Sequence, residues 1–389
     1  MRQKVKEITR IDYGIILTVF ILFVISVLTL YATTVLINEG SLQSTVMHIV
    51  WYILGSVVIA IIMQFDAKQI WKLVPFIYVG AIILLVAVLF FYDKTTAATF
   101  GARSWFRFGT FSFQPAEISK IALILMLARV VTNHNVTYRE RTLRTDGQLL
   151  LKIFLWTLPM SVLVILENDL GTTLVILAIV SGIILMSGIS SKILLPLFLG
   201  VFLFGALILY LAVYHRHILM FFGFKPYQFT RIDAWLDPFS HAAQGSYQVR
   251  NAILAIATGG VLGKGIGISQ VHIPIRESDM IFSTIGENTG FLGAVFLIFI
   301  YFTLIYQMVR TCFETKNEFY TYISVGVISM IMFHVFENIG MNIGLLPLTG
   351  IPLPFISQGG SALLGNMIGV GLIMSMRYHT KSYYGIHII

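Results

Sequence analysis

Of 389 residues, 57% are hydrophobic and only 11% charged, against roughly 25% charged in soluble domains, so a soluble globular domain is excluded. Repeated apolar runs near bilayer length instead describe a polytopic membrane protein. The net charge of +8 is spread over many short loops and forms no single stripe, which excludes nucleic acid as the partner.

In chain order, a basic stretch holding Arg2, Lys4, Lys6 and Arg10 precedes the first apolar run, Ile15 to Tyr31. A signal peptide has the same order, but no small-residue cleavage pattern follows and further spans do, so this run reads as a retained first helix. Apolar runs predict spans near 13–33, 44–64, 70–92, 113–131, 150–167, 170–188, 193–214, 283–309, 319–345 and 357–377, about ten helices in an all-α fold. With the N-terminus cytoplasmic, the inner segments 1–12, 65–72, 129–152, 189–192, 310–318 and 377–389 hold 16 of the 26 Lys and Arg residues. That bias puts both termini inside.

The stretch 215–282 is then a large extracellular loop between spans seven and eight, and loops of that length are more often functional than idle. Within it "GSYQVRNAILAIATGGVLGKGIG" predicts a helix on the membrane surface, through Tyr247, Ile253, Ile256 and Val261, ending in a glycine-rich turn. The other conspicuous outward segment is 93–112. No fixed-period repeat or separate soluble domain interrupts residues 1–389, which read as one transmembrane domain. Cys312, the single cysteine, cannot form an internal disulfide and reads as a bystander in a cytoplasmic-side loop.

Ionisable groups inside spans cost at least about 2.5 kcal/mol each, so each calls for a reason. In "FQPAEISKIALILMLARV", Pro115 suits the first turn of span four and sets Glu117 and Lys120 three residues apart on one face, where opposite charges partly neutralise each other. "ENDLGTT" places Glu167 and Asp169 in an outward turn, with Asp169 suited to cap the next helix. Span nine carries Glu337, Asn338 and Asn342, side chains that bond helix to helix. "RESDMIF" sets Asp279 at the outer entry of span eight, with Glu287 one to two turns on. Each of these also has a purely structural reading, as an ion pair, a cap or a solvated loop carboxylate.

The phrases "GARSWFRFG…FQPAEISK", "DLGT", "GGVLGKGIG", "RESDMIFSTIGENTGFLG" and "NIGMNIGLLPLTGIPLPFISQGGSALLGNMIGVGLIMSM" together resemble the SEDS family of bacterial cell-wall proteins (RodA, FtsW, SpoVE) over roughly residues 10–380. "NIGMNIGLLPLTGIPLPF" and "GARSWFRFG" look most like the RodA, or elongation, branch. The resemblance implies a ten-span peptidoglycan glycosyltransferase that polymerises lipid II into glycan strands on the outer face of the cytoplasmic membrane, beside a class B penicillin-binding protein that crosslinks them. It also implies that Asp279 matches the family's essential aspartate, Glu117 and Lys120 its fourth-span pair, Arg103 the Arg of its "GA-R-W" phrase and Asp169 the Asp of "DLGT". Two departures are "ENDLGT" for the usual "QPDLGT" and "ISQGGS" for the commoner "VSYGGS", which puts Gln358 at a usual Tyr.

That chemistry suits these residues. A sugar 4-hydroxyl attacks the anomeric carbon of a lipid-diphosphate sugar, α linkage becomes β1,4, and undecaprenyl diphosphate leaves. Inverting displacement needs a base on the hydroxyl side, whereas a diphosphate leaves without the acid that a glycosidase requires. Asp279 is the candidate base. If Lys120 points toward Asp279, it keeps that carboxylate ionised or accepts the diphosphate while Glu117 holds the ammonium; Glu117, Lys120 and Asp169 are the expected supporting charge network. Arg103, Arg107, Lys264 and Arg276 are candidates for the diphosphates. Ser357, Gly359 and Gly360 are candidate substrate contacts in the segment before span ten, where a groove for the lipid tails is expected. Mg²⁺ or another divalent cation is a candidate at the diphosphate, and no organic cofactor is expected. The competing readings are a lipid II flippase and a membrane scaffold for the crosslinking enzyme.

Overall fold

The structure, a computed structural model, describes residues 10–37, 42–95, 101–109, 111–239 and 244–384. Helices α1 (Tyr13–Tyr31), α2 (Gln43–Ile62) and α3 (Ala67–Phe91) are followed by a short hairpin, β1 (Phe106–Phe108) and β2 (Phe111–Phe113), in which Arg107 pairs with Ser112. Next come α4 (Pro115–Thr137), α5 (Leu143–Leu166), α6 (Leu170–Met186) and α7 (Ser191–Tyr214). The segment between α7 and the next long helix holds α8 (Arg216–Phe221), α9 (Pro226–Leu236) and α10 (Gln244–Gly259), and α11 (Ile281–Glu314), α12 (Glu318–Asn342) and α13 (Gly360–Tyr384) follow. All ten intervals predicted as spans coincide with helices. Seven of these, α1, α2, α3, α5, α7, α11 and α12, are long and apolar enough to cross a membrane.

Local chemistry starts the helices where the sequence predicts. Asp12 accepts the Gly14 and Ile15 amides at the head of α1, Asp66 and Gln69 form a reciprocal capping box on α3, Pro115 opens α4, and Asp169 caps α6 through the Thr172 amide. Burial then sorts them. Helix α4 is enclosed over most of its length, including every residue from Ser119 to Ala128, and its stretch from Ile121 to Ala128 is apolar all round, as suits a buried helix. It packs against α3, α12, α5 and α13. At the other extreme only Ala212 of α7 is buried.

The segment between α7 and α11 departs from the expected single surface helix. Helix α10 docks on α11 where Ile256 meets Gly286 and Gly259 comes up against the Gly286 backbone, its Val249, Ala252 and Ala255 are buried with Ile273, Met280, Met341 and Leu348, and Tyr247 and Val261 face outward. Glycine at 259 and 286 lets the two backbones approach there. Cys312 also lies in the last helical turn of α11, half-buried, rather than in a loop.

The glycine-rich turn has a specific partner. At Gly290 (φ 66°) α11 is broken, and the interrupted ladder is repaired from outside: Phe291 and Leu292 amides donate to the Gly260 and Val261 carbonyls (2.9 and 3.2 Å), while Lys264 and Gly265 amides donate to the Glu287 and Asn288 carbonyls (3.0 and 3.1 Å). Non-helical backbone at membrane depth is tolerated only when protein covers it in this way. A methyl group at Gly290 would collide with the Gly263 amide and the Val261 carbonyl. Gly290→Ala is therefore expected to cost about 2–3 kcal/mol through left-handed strain and this backbone clash, read as a lower unfolding midpoint in detergent; an unchanged midpoint contradicts the crossing.

Candidate functional site

Asp279 precedes α11, on a strand of chain gripped from two sides. Its carbonyl accepts both the Asn338 and Asn342 side-chain amides of α12 (2.8 and 3.0 Å), and Asn338 also donates to the Ile351 carbonyl (2.8 Å). Asn342 also accepts the Ser283 amide of α11 (3.3 Å), so the asparagines join helix to helix as expected and tie two loops to α12 as well. On the other side, Ser357 Oγ donates to the Ser278 carbonyl (2.6 Å) and the Gln358 amide to that of Glu277 (2.9 Å). The 353–358 turn is itself held from below: Tyr301 donates to the Pro354 carbonyl, Tyr52 to that of Phe355 and Ser26 to that of Ile356. The backbone of residues 277–279 is thereby fixed before any substrate arrives.

The Asp279 side chain remains partly exposed and faces Gly350, where an added methyl carbon would lie 3.8 Å from Oδ2. Burial on the protein side pushes its carboxyl up to about 6, against the pull of nearby backbone amides and of Arg231, with Glu277 adding to the rise. Arg231 lies on α9 and places Nη1 3.4 Å from the Thr349 carbonyl. Nothing in "TRIDAW" marks it apart from the other outward cations, and sequence reasoning missed it.

Asp169 lies behind the same 349–351 turn. It accepts from Thr172 (N 2.9 Å, Oγ1 2.8 Å) and from Gln114 Nε2 (2.7 Å), whose own amide donates to Ser361 Oγ of α13 (2.9 Å). This carboxylate is a cap and a brace. Neighbouring Glu167 is fully buried, and among the described residues neither of its carboxylate oxygens has a hydrogen-bond partner. Burial, then the Asp169 charge, raises its carboxyl to about 8. The folded state thus binds this proton more tightly than the unfolded chain, so the stability it confers is complete below the ordinary glutamate range and is lost as pH rises through 8. From pH 7 to 9 the protein is expected to lose about 1.4 kcal/mol from this group. Thermal unfolding against pH checks it: Glu167→Gln should flatten the decline, and an identical decline in the variant would contradict it.

Glu117 and Lys120 form the predicted ion pair, 2.8 Å apart and almost wholly buried, but the ammonium does not turn toward Asp279. Its second contact is His334 Nε2 of α12 at 3.0 Å. The cation whose field acts on Asp279 is Arg231 instead, because α9 folds over the outer end of the bundle whereas Lys120 is enclosed between α4 and α12. The pair reaches the site through α12, which carries His334, Asn338 and Asn342 along one helix.

Two proposed diphosphate cations are placed elsewhere. Arg276 is buried, donating to Ser269 Oγ (2.9 Å) and the Val271 carbonyl (2.6 Å) and pairing with Glu287 (3.5 Å). Lys264 pairs with the same carboxylate at 3.1 Å. Glu287 draws both inward because an uncompensated carboxylate cannot remain in the bundle, and together they seat the 264–276 loop on α11. Arg107 on β1 and Arg103 just before it are exposed, Arg103 over the Tyr92 ring and Arg107 beside Asp93. Gly360 serves helix packing, since a methyl there would strike the Trp51 indole, while Gly359 meets no such barrier. The apolar cavity of about 640 Å³ lies between α1, α2 and α13, lined by Phe20, Phe23, Tyr52 and Met374 among others, and does not include Gly359 or Gly360.

Among the described residues no group of three His, Cys, Asp or Glu side chains could hold a metal. A cation shared with a diphosphate asks less, one or two carboxylates. Glu277, whose Oε2 is buried without a hydrogen-bond partner among the described residues and whose charge acts on Asp279, fits that requirement.

A family model for cell cycle proteins of the FtsW/RodA/SpoVE type matches residues 11–382. The chain belongs to the FtsW/RodA/SpoVE family. This member is 35% identical to the peptidoglycan glycosyltransferase MrdB of Escherichia coli K12 over 334 residues, 84% of either chain. It is 30% identical to stage V sporulation protein E of Bacillus subtilis over 287 residues, 72% of this chain and 73% of that one. A solved peptidoglycan synthase complex that coordinates polymerization and crosslinking contains a chain that superposes with a TM-score of 0.76 at 25% identity, over 96% of this chain and 98% of that one. The rod shape determining protein RodA of Thermus thermophilus shares the fold, with a TM-score of 0.67 at 24% identity, over 95% of this chain and 97% of that one.

Proposed function

We propose that this FtsW/RodA/SpoVE protein is a peptidoglycan glycosyltransferase of the elongation type, which polymerises lipid II in cell growth and shape maintenance. The observation that carries the reading is Asp279: a partly exposed carboxyl at the outer end of α11, on backbone clamped by α12 and the 353–358 turn, with Arg231 and Glu277 beside it. In this reading all ten long helices span, both termini are cytoplasmic, and residues 215–282 form the outer loop that completes the site.

Asp279 accepts the proton of the attacking 4-hydroxyl as the new β1,4 bond forms and the bond to undecaprenyl diphosphate breaks. A general base near 6 is ionised at neutral pH yet basic enough to take a proton. Glu117, Lys120 and Asp169 hold the frame. Arg107 on the hairpin and Arg103 just before it, both exposed, meet the diphosphates as guanidinium forks. A divalent cation, held by Glu277 and the diphosphate, would draw charge off the leaving group when bound. A class B penicillin-binding protein is the partner proposed for crosslinking, in line with the synthase complex whose chain this one resembles.

Purified protein given labelled lipid II and a divalent ion tests the reading. Glycan strands from the native chain and none from Asp279→Ala are expected. Lipid translocation without polymer, unaffected by that substitution, would point to a carrier.

A further inference from the structure

Helices α1 and α2 close on each other in one half of the membrane and part in the other. Away from the chain termini, Ser26 Oγ lies 2.7 Å from His48 Nε2, and the hydroxyls of Thr34 and Thr45 meet at 3.2 Å. On the termini's side α1 leans toward other helices: Asp12 pairs with Arg377 of α13 and accepts from Thr311 of α11 (3.3 Å), and Thr18 donates to Gln307 of α11 (3.0 Å). There α2 stays on α13, with Gly55 against Met367 and Gly371 against the Ile59 backbone. The wedge left between α1 and α2 is the apolar cavity of about 640 Å³, backed by Met367, Val370 and Met374. We propose that it binds an acyl chain of an anionic phospholipid from the leaflet on the termini's side, the cytoplasmic leaflet when both termini are cytoplasmic.

Length, lining and mouth specify that occupant. The closed end is the edge-to-face pair of Phe23 and Tyr52, ring centroids 4.7 Å apart, and the mouth lies at Ile11 and Met63. About 17 Å of helix separates the two ends, close to one leaflet of a core about 30 Å thick. A partner's spanning helix crosses the full thickness and does not fit a cleft closed at half depth. No polar side chain turns into the wedge, since Tyr52 donates to the Phe355 carbonyl and Ser56 to the Tyr52 carbonyl. An apolar void stays dry, and an empty one forfeits the dispersion contacts of its lining, so hydrocarbon from the bilayer fills it. Phe20 and Val57, exposed on the rim, leave the side of the wedge open to lipid. At the mouth Arg10 is exposed beside Ile11, and Lys68 is exposed five residues beyond Met63. The neighbouring carboxylates are engaged, Asp12 by Arg377 and Asp66 by the Gln69 amide, so an anionic headgroup complements the two cations. Asp279 precedes α11 at the opposite end from Gln307 and Thr311, so the headgroup bound here is not that of the lipid reacting at Asp279.

The test is photolabelling of the full-length protein in phosphatidylcholine vesicles that contain phosphatidylglycerol with a diazirine midway along one acyl chain, followed by peptide mapping. Label is expected on residues 15–23, 52–60 and 367–374, which line the wedge, and in excess of the label on α7, which faces lipid almost throughout. Ala60→Trp and Val57→Trp each put an indole into the wedge from an exposed position, so each should abolish the labelling there while the protein stays folded. Ala206→Trp, the same kind of change on exposed α7, should leave it intact. The same diazirine chain on a choline headgroup should label the wedge about fivefold less, the worth of one basic residue beside an anionic lipid, and Arg10→Gln should narrow that difference. The proposal is overturned if α7 labels as strongly as the wedge, if both tryptophan variants in the wedge label like the native chain, or if the two headgroups label alike.

Discussion

Asp279→Asn is expected to lower the rate of lipid II polymerisation by about 10² to 10⁴-fold, the range typical for loss of a positioned general base. The substitution is nearly isosteric, and the clamps on this segment act on the backbone carbonyls of residues 277–279 rather than on the carboxyl. The unfolding midpoint should accordingly stay near the native value. Substrate binding should also survive, so the loss falls on kcat. The native rate should drop about tenfold per pH unit below 6, as the base takes up its proton. A native rate in the amide variant, or a native acid limb far from 6, would remove Asp279 from the chemistry.

Glu287→Ala is the largest structural effect anticipated, about 3–5 kcal/mol, because removing one member of a buried ion group strands the others. Arg276 is only 1% exposed and Lys264 only 12%, and both depend on this carboxylate. The Gln270 amide and Ser269 hydroxyl also donate to it, at 2.7 and 3.1 Å. The 264–276 loop would detach from α11, and because that loop leads directly into Asp279, activity would fall with stability. The double variant Glu287→Gln/Arg276→Met should be less damaged than the two single losses added together, since it leaves no buried arginine unpaired. Additive losses would mean that the residues do not act as one group.

Much of the architecture was legible because its causes are local. Bilayer thickness sets the length of an apolar run, so every predicted span coincides with a helix. Caps and ion pairs three residues apart are equally local, which is why Asp169 at the head of α6 and the Glu117–Lys120 pair stand where the sequence put them. The motifs around Asp279 also carried the family resemblance that the comparison over residues 11–382 bears out.

The identities of charge partners were not legible, because partners are chosen by where helices distant in sequence come to lie. Arg103, Arg107, Lys264, Arg276 and Arg231 look alike in a linear reading of the outward segments. Folding sends Arg276 and Lys264 inward to Glu287, which cannot stay buried uncompensated, and brings Arg231 over the Thr349 carbonyl. Lys120 turns to His334 because α12 lies against α4 along its length. Residue types and spacing establish which groups are costly to bury, whereas only the packing of distant segments decides which opposite charge compensates each of them.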